Sequence, residues 1–265
     1  MAANPPLVSV VITAFQAESY VARALQSATK LEAHGPVEII LFDDGSTDGT
    51  LAAARAEAEA DPRIIVIEGG RLGRARALNR AISAAGGSYI AILDADDIAL
   101  PHRLQATLPI LEANPELVIA CAEVLLFEGD PPERPTGIQT DARISRIMPA
   151  TLYTSNRIKH STVLFRRTAW EQVGGYDEQF DICIDYAFYF RLFKVGGIGH
   201  TDTVTCLREL RTDSYFAYQR RLKDYADSLS RIRAEARSTM SIPLWAQLGA
   251  TARSFRLVMK NLVGR

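Results

Sequence analysis

The chain is poor in the features that mark several protein classes. Its three cysteines, Cys121, Cys183 and Cys206, are widely and irregularly spaced, so neither a disulfide framework nor a CxxC metal site is written here. Reduced thiols in a cytosolic compartment are the expectation. No stretch reaches the roughly 18 consecutive apolar residues of a spanning helix. Residues 1–7 lack the basic start and apolar run of a signal peptide. A cytoplasmic protein is expected, at most peripheral on the cytoplasmic face of a membrane. The first β-branched run ends in Thr13-Ala14-Phe15-Gln16 with no glycine, which argues against a GxGxxG oxidoreductase. A charge excess is missing too: 30 Lys+Arg against 31 Asp+Glu leaves −1, which excludes nucleic-acid binding by bulk positive charge.

The chain does have enough apolar residues for a well-buried core, with 48% hydrophobic over 265 residues. Val8–Thr13, Val37–Phe42, Ile64–Ile67 and Tyr89–Leu93 are short Val/Ile-rich runs, the pattern of strands buried on both faces. Ala-rich helical stretches separate them at Ser19–Lys30, Thr50–Glu59 and Arg74–Ala85. This alternation indicates a parallel sheet covered by helices. Ligands of such sheets sit beyond the carboxyl ends of the strands. Further along, Leu117–Phe127 reads as a strand and Glu128–Pro149 as a long proline-bearing loop. Ser161–Phe165 reads as a strand, while Arg167–Val173 and Asp185–Phe193 read as helices, each followed by a Gly-Gly pair.

The sharpest chemistry lies in Asp94-Ala95-Asp96-Asp97. Three carboxylates in four positions repel one another unless a cation sits among them. Hard oxygen ligands suit Mg²⁺ or Mn²⁺, which take few carboxylates plus substrate phosphates. The alternative is a solvated turn. Asp43-Asp44-Gly45-Ser46-Thr47-Asp48 forms a turn before a helix that Asp48 or Thr47 can cap. Capping does not account for the two carboxylates ahead of the turn. Asp44 has the chemistry to accept a uracil imide N–H or a sugar hydroxyl. An Asp-x-Asp phosphatase would carry its motif near the start of the fold, with Thr or Val where Asp97 stands.

Taken in order, Val8 to Gln16, Asp43 to Asp48 and Asp94 to Asp97 resemble the motifs of glycosyltransferase family 2, over about residues 7–215. The resemblance implies an α/β GT-A fold, a Rossmann-like nucleotide-binding mixed sheet with helices on both faces. Residues 1–215 would form that domain and 216–265 a C-terminal helical extension. It implies a metal-dependent, inverting hexosyltransferase acting on a nucleotide sugar, foremost a UDP-sugar, with a glycan or lipid-linked acceptor in envelope or surface polysaccharide synthesis. Thr13, Ala14, Phe15, Glu18, Asp44, Arg71, Arg74 and Arg76 would line the base and ribose pocket. Asp94 would face the ribose with Ala95 beside it, and Asp96 would hold Mn²⁺ or Mg²⁺ at the diphosphate. Arg74 and Arg76 also read as an exposed helix face.

Gly174-Gly175-Tyr176-Asp177-Glu178 matches the family's Gly-Gly-aromatic-Asp-Glu stretch. The acidic pair that follows it is reduced to Ile184-Asp185, leaving Asp185 as the implied general base. Its charge would equally suit a helix start. The family's late Tyr-Arg-x-His motif reads Leu207-Arg208-Glu209-Leu210-Arg211, without the histidine. His200 or Arg211 is the candidate replacement as metal or phosphate ligand, and His160 a candidate contact to acceptor or diphosphate. These departures keep a second reading open, a degenerate transferase acting as a scaffold.

The near-zero charge is an average. Residues 220–265 hold ten basic and three acidic residues, net +7, and the remainder 20 basic and 28 acidic, net −8. A helix opened by Pro243 carries Leu244, Leu248, Thr251, Phe255, Val258, Met259 and Leu262 on one face, with Trp245 extending it. Arg253, Arg256 and Lys260 fall on the other. Its apolar face would pack on the domain, form a homodimer, or lie on an anionic bilayer through residues 241–265.

Overall fold

The computed structural model describes residues 7–133, 135–136, 143–210 and 222–263. The first half alternates β1 (Val8–Ala14), α1 (Val21–Thr29), β2 (Val37–Asp43), α2 (Thr50–Ala60), β3 (Ile64–Glu68), α3 (Arg74–Ala84) and β4 (Tyr89–Asp94). β1 pairs in parallel with β2 and β4, and β2 with β3. Register aligns the strand ends: Ala14 sits opposite Asp43, Asp43 opposite Glu68, and Thr13 opposite Asp94. The four turns that follow therefore share one edge.

Alternate residues of each strand enter opposite cores. Val11, Ile40, Ile90 and Ile92 join the core that holds α3, while Val10, Ile12, Ile39, Leu41, Ala91 and Leu93 join the core that holds α1. Burial on both faces explains the near-continuous Val/Ile runs.

The second half makes the sheet mixed. β5 (Asp97–Ala99), α4 (Arg103–Ala113), β6 (Leu117–Phe127), β7 (Ile144–Ile147), α5 (Pro149–Thr154), β8 (Leu164–Arg166), α6 (Arg167–Val173), α7 (Ile184–Leu192) and β9 (Gly197–Glu209) follow. Strand order is β3-β2-β1-β4-β8-β6-β9-β5, with β7 on β9. The antiparallel β5–β9 pair sets Asp97 opposite Arg208.

Two local expectations are corrected. Residues 128–149 are not loop throughout, since β7 pairs Ile144–Ile147 with Thr201–Ile198; residues 134 and 137–142 lie outside the described set. The strand expected at Ser161–Phe165 is a 3-10 turn at His160–Thr162 followed by β8. Side-chain bonds compete with the ladder here. Ser161 Oγ binds Asp97 and the Asp94 N–H, and Thr162 Oγ1 binds the carbonyls of Lys159 and Ala122.

The C-terminal helices α8 (Leu222–Thr239) and α9 (Leu244–Val263) join the α3-side core. Ile232, Ala236, Ile242, Ala246 and Ala250 are buried with Leu152 and Tyr153 of α5. Arg237 donates to the Tyr153 hydroxyl at 3.0 Å, and the Arg233 guanidinium lies over its ring. Three placements were open for the apolar face of α9, and only part of that face lies among the described residues. The face that packs carries Ala246 and Ala250, whereas Leu244, Trp245 and Leu248 are exposed. The side chains of Phe255, Arg256, Val258, Met259, Lys260 and Leu262 lie outside the described set.

Candidate active site

The shared edge is built by side chains that lock neighbouring turns together. Asp48 accepts from the Thr50 N–H and hydroxyl and from the Glu18 N–H, tying the start of α2 to the turn after β1. The backbone groups of Gln16 and Thr47 meet a Ser46 hydroxyl and the Gln16 carboxamide in turn, at 3.0 and 2.7 Å. Gln16 adopts φ +52°, in the left-handed region, a strained conformation for a residue with a Cβ.

Asp44 is nearly fully buried. Its Oδ1 accepts from the Leu72 N–H at 2.7 Å, and Oδ2 from the Gly73 N–H at 3.1 Å and from Arg71 Nη1. Arg71 in turn lies 3.5 Å from the centre of the half-exposed Phe15 ring, a cation–π contact. Asp44 therefore binds the 71–73 loop and gives Phe15 and Arg71 a fixed platform. Thr13 and Ala14 supply the strand beneath, the Ala14 carbonyl accepting from the Asp44 N–H, and Glu18 lies over Gly49.

Asp94 sits among cations. Arg74 Nη2 donates to its Oδ1, Arg208 Nη2 lies 3.3 Å from its Oδ2, and His160 Nδ1 is 3.5 Å from Oδ1. Burial pushes this carboxyl up, but the Arg74 guanidinium, with His160 and Arg208, holds it well below the usual carboxylate range. Asp97 is buried and takes Arg208 through both oxygens, at 2.6 to 3.2 Å, plus the Ser161 hydroxyl. Burial is the larger influence there and raises it, against the pull of Arg208. Burial pulls the Arg208 guanidinium down, but its pairing with Asp97, together with Asp94 and Asp96, holds it well above its ordinary value. Asp96, half-buried between them, faces the same guanidiniums.

Across the edge, His160 Nδ1 lies 3.2 Å from Arg74 Nη2, and its Nε2 lies 2.9 Å from the Tyr176 hydroxyl. Tyr176 stacks on Phe188, within a buried aromatic group that also holds Tyr186, Tyr189 and Phe190. Asn79 of α3 clamps the backbone of Tyr176, accepting from its N–H at 2.8 Å and donating to its carbonyl at 2.9 Å. Asp185, in the first turn of α7, accepts from Asn156 at 3.0 Å. It is close enough for its charge to act on Arg74 and Tyr176.

The structure thus brings Phe15, Asp44, Arg71, Arg74, Asp94, Ala95, Asp96 and Asp185 to one edge. Two expected residues stand apart. Arg76 points to Glu178, 3.1 Å away, on the exposed side of α3. His200 lies on the same strand as Arg208 but eight residues earlier, roughly 25 Å away at strand spacing. It pairs with Glu123 at 2.9 Å, so the expectation that it shares a metal or phosphate site with Asp96 is corrected. Arg211 lies outside the described residues. The residues missed were Arg208 and Asn79. Arg208 stands at the arginine of the late motif, where attention fell on the absent histidine, and Asn79 carried no signal at all.

The family model described as glycosyl transferase family 2 matches residues 9–174. The chain belongs to glycosyltransferase family 2. Chondroitin synthase of Escherichia coli is 29% identical over 209 residues, covering 79% of this chain and 30% of that protein. The putative glycosyltransferase EpsE of Bacillus subtilis (strain 168) is 28% identical over 248 residues, covering 90% of this chain and 84% of that one. The chain spans less than a third of the chondroitin and hyaluronan synthases it matches. Among solved structures, S. aureus TarS 1–349 in complex with UDP-GlcNAc superposes with TM-score 0.69 at 16% identity, over 89% of this chain and 68% of that one. The mannosyltransferase PcManGT from Pyrobaculum calidifontis, in complex with GDP-Man and Mn²⁺, gives 0.65 at 19% identity, over 98% and 80%. These likenesses show the GT-A fold, α/β with a mixed sheet, for this family 2 glycosyltransferase.

A divalent cation fits this donor set in one way. Among the described residues no group of three His, Cys, Asp or Glu side chains converges, and Asp94 and Asp97 are engaged by arginines. Asp96 offers a hard oxygen at the strand end. The remaining ligands would be phosphate oxygens and water, a coordination Mg²⁺ and Mn²⁺ accept.

Proposed function

We propose that this glycosyltransferase is metal-dependent and inverting, and transfers a hexose from a nucleotide sugar, foremost a UDP-sugar, to a hydroxyl of a glycan or lipid-linked acceptor in polysaccharide synthesis. The carrying observation is one sheet edge with Asp94 and Asp96 beside Arg74 and Arg208, and with Asp185 across Arg74. Names of relatives that act on polysaccharides or hold UDP-GlcNAc support the substrate class.

Phe15 and Arg71 offer a flat face for the base, and Thr13, Ala14, Glu18, Asp44 and Ala95 shape the pocket around it. Arg74 and Arg208 present N–H donors to the diphosphate. Mn²⁺ or Mg²⁺ held by Asp96 would supply Lewis-acid stabilisation of charge on the departing diphosphate. Asp185 takes the proton of the acceptor hydroxyl as its oxygen bonds to the anomeric carbon. The bond from that carbon to the diphosphate oxygen breaks with its electrons on the nucleoside diphosphate. Attack opposite the leaving group inverts the centre.

The exposed Leu244, Trp245 and Leu248, on a segment 241–265 with four basic and no acidic residues, support peripheral attachment to an anionic bilayer from the cytoplasm. No helix of the described residues is long and apolar enough to cross a membrane.

Purified protein is to be incubated with a panel of nucleotide sugars and Mn²⁺. Thermal stabilisation by one donor, with slow release of its nucleoside diphosphate, is expected. A panel without either effect overturns the reading in favour of a scaffold.

A further inference from the structure

The largest wholly buried side chain among the described residues lies directly behind the acidic strand end. Arg103 of α4 has no exposed surface. Its Nη2 donates to the carbonyls of Ile92, at 2.7 Å, and Val163, at 3.1 Å. Ile92 precedes Asp94 by two positions, and Val163 follows Ser161 by two. At this level β4–β8 pairing gives way to the 3-10 turn, and the guanidinium staples the two segments together. Its Nε and Nη1 are buried and meet no acceptor among the described residues. Spare donors on a buried cation go beyond what joining two carbonyls needs.

The charge has a counterpart. The carbonyls it holds stand two residues from Asp94 and from Ser161, which donates to Asp97; burial depresses the Arg103 guanidinium, and Cys206, Asp97 and Asp94 act against that depression. Arg74 and Arg208 meet the same acids from the open side. Arg74 and Arg208 thus face the acidic cluster from the open side and Arg103 lies behind Asp94 and Asp97, with Asp185 a fourth carboxylate beyond Arg74. A divalent cation alone would shift this balance by two charges, and so would a nucleotide sugar alone, with opposite sign. Bound together they leave it unchanged.

We propose that Arg103 is the buried counter-ion of the donor site, a positioning residue whose charge suppresses binding of a bare divalent cation and favours its entry with a nucleoside diphosphate. The inference rests on the donor reading above for its anionic arm only. Arg103 touches neither ligand; it acts through Asp94 and Asp97.

The test is calorimetry on the full chain with Mn²⁺ alone, with UDP or GDP alone in chelator, and with both. In the wild type each ligand tightens the other, reciprocally. Arg103→Met should bind Mn²⁺ alone roughly tenfold more tightly and nucleotide alone roughly tenfold more weakly, as the loss of one nearby charge requires. Arg103→Lys should stay near wild type in both. Arg103→Gln keeps a donor for the Ile92 carbonyl and serves where Met does not fold. A merely structural role weakens both ligands together, and that result, or unchanged Mn²⁺ affinity in the neutral variant, overturns the proposal. Wild-type protein that binds neither nucleotide under any condition overturns the donor reading instead, while the Mn²⁺ arm still reads Arg103.

Discussion

Asp44→Asn separates two roles that one buried carboxylate could hold, locking a loop or reading a nucleobase. The substitution is isosteric, so packing is constant. The Asn oxygen can keep the Leu72 N–H, but its amide group then faces two donors, the Gly73 N–H and Arg71 Nη1. A hydrogen bond between charged groups is worth about 1.5–3 kcal/mol, and a buried donor left without a partner costs about 1–3 kcal/mol. Arg71 is half exposed, so water recovers part of its loss. The net expectation is about 2 kcal/mol of destabilisation. With an m value of about 3 kcal/mol/M in urea, the midpoint falls by roughly 0.7 M with m unchanged. Uridine affinity should fall less than stability does, because Phe15 and Arg71 remain beside the base pocket. An unchanged urea midpoint combined with lost uridine binding would refute the reasoning and make Asp44 the base reader.

Other outcomes follow from the same geometry. Asp185→Asn should keep nucleotide affinity within about twofold and lower turnover by roughly 10²–10⁴; an active variant requires another base. Gly174 and Gly175 both have positive φ, but a Cβ on Gly175 would lie 2.6 Å from Asn79 Oδ1. Gly174→Ala should cost about 1 kcal/mol and Gly175→Ala about 3 kcal/mol, measured by denaturant unfolding. Burial pushes the thiols of Cys183 and Cys206 up to about 12 and about 11. At pH 8 a thiol near 12 holds roughly a thousandth of the thiolate of a free cysteine. Iodoacetamide should therefore spare Cys183 until urea unfolds the chain, and mass spectrometry showing prompt native labelling would contradict this. Flotation with anionic vesicles should carry the protein upward, fail with zwitterionic vesicles, and weaken in Trp245→Ala/Leu248→Ala; no flotation on anionic vesicles removes the bilayer proposal.

The first half of the fold was legible because its strands are buried on both faces, and that environment leaves near-continuous apolar runs such as Val8–Ile12 and Ile39–Phe42. The polar residues ending each run then had to share an edge, since parallel strands in register end together. The second half is written in shorter elements. β5 is three residues long and exists by pairing with β9; no local period announces it. Ser161 and Thr162 read as the start of a strand running to Phe165 because Ser and Thr tolerate extended backbone, yet their hydroxyls bind Asp97 and Ala122 instead. Arg208 was hidden for a related reason. Its partner Asp97 lies 111 positions away in the chain, and only β5–β9 register unites them. Side chains whose role depends on a distant partner leave no pattern in the sequence around them.

The same limit explains α9. Helical spacing finds the face richest in leucine, but large residues do not decide which face can approach another helix. Ala246 and Ala250 are small, and their burial beside Leu152 and Tyr153 lets α9 lie close along α5. Dispersion contacts depend on close approach, so a flat small-residue face against Leu152 and Tyr153 competes with a bulkier apolar one. The cost of that choice is left on the surface, with Trp245 61% and Leu248 62% exposed. Exposing one large apolar side chain is ordinary, whereas exposing several neighbours on one helix face points to a partner. For the attachment proposed above, the basic residues that follow along the helix disfavour a second copy of the same +7 tail and favour an anionic surface.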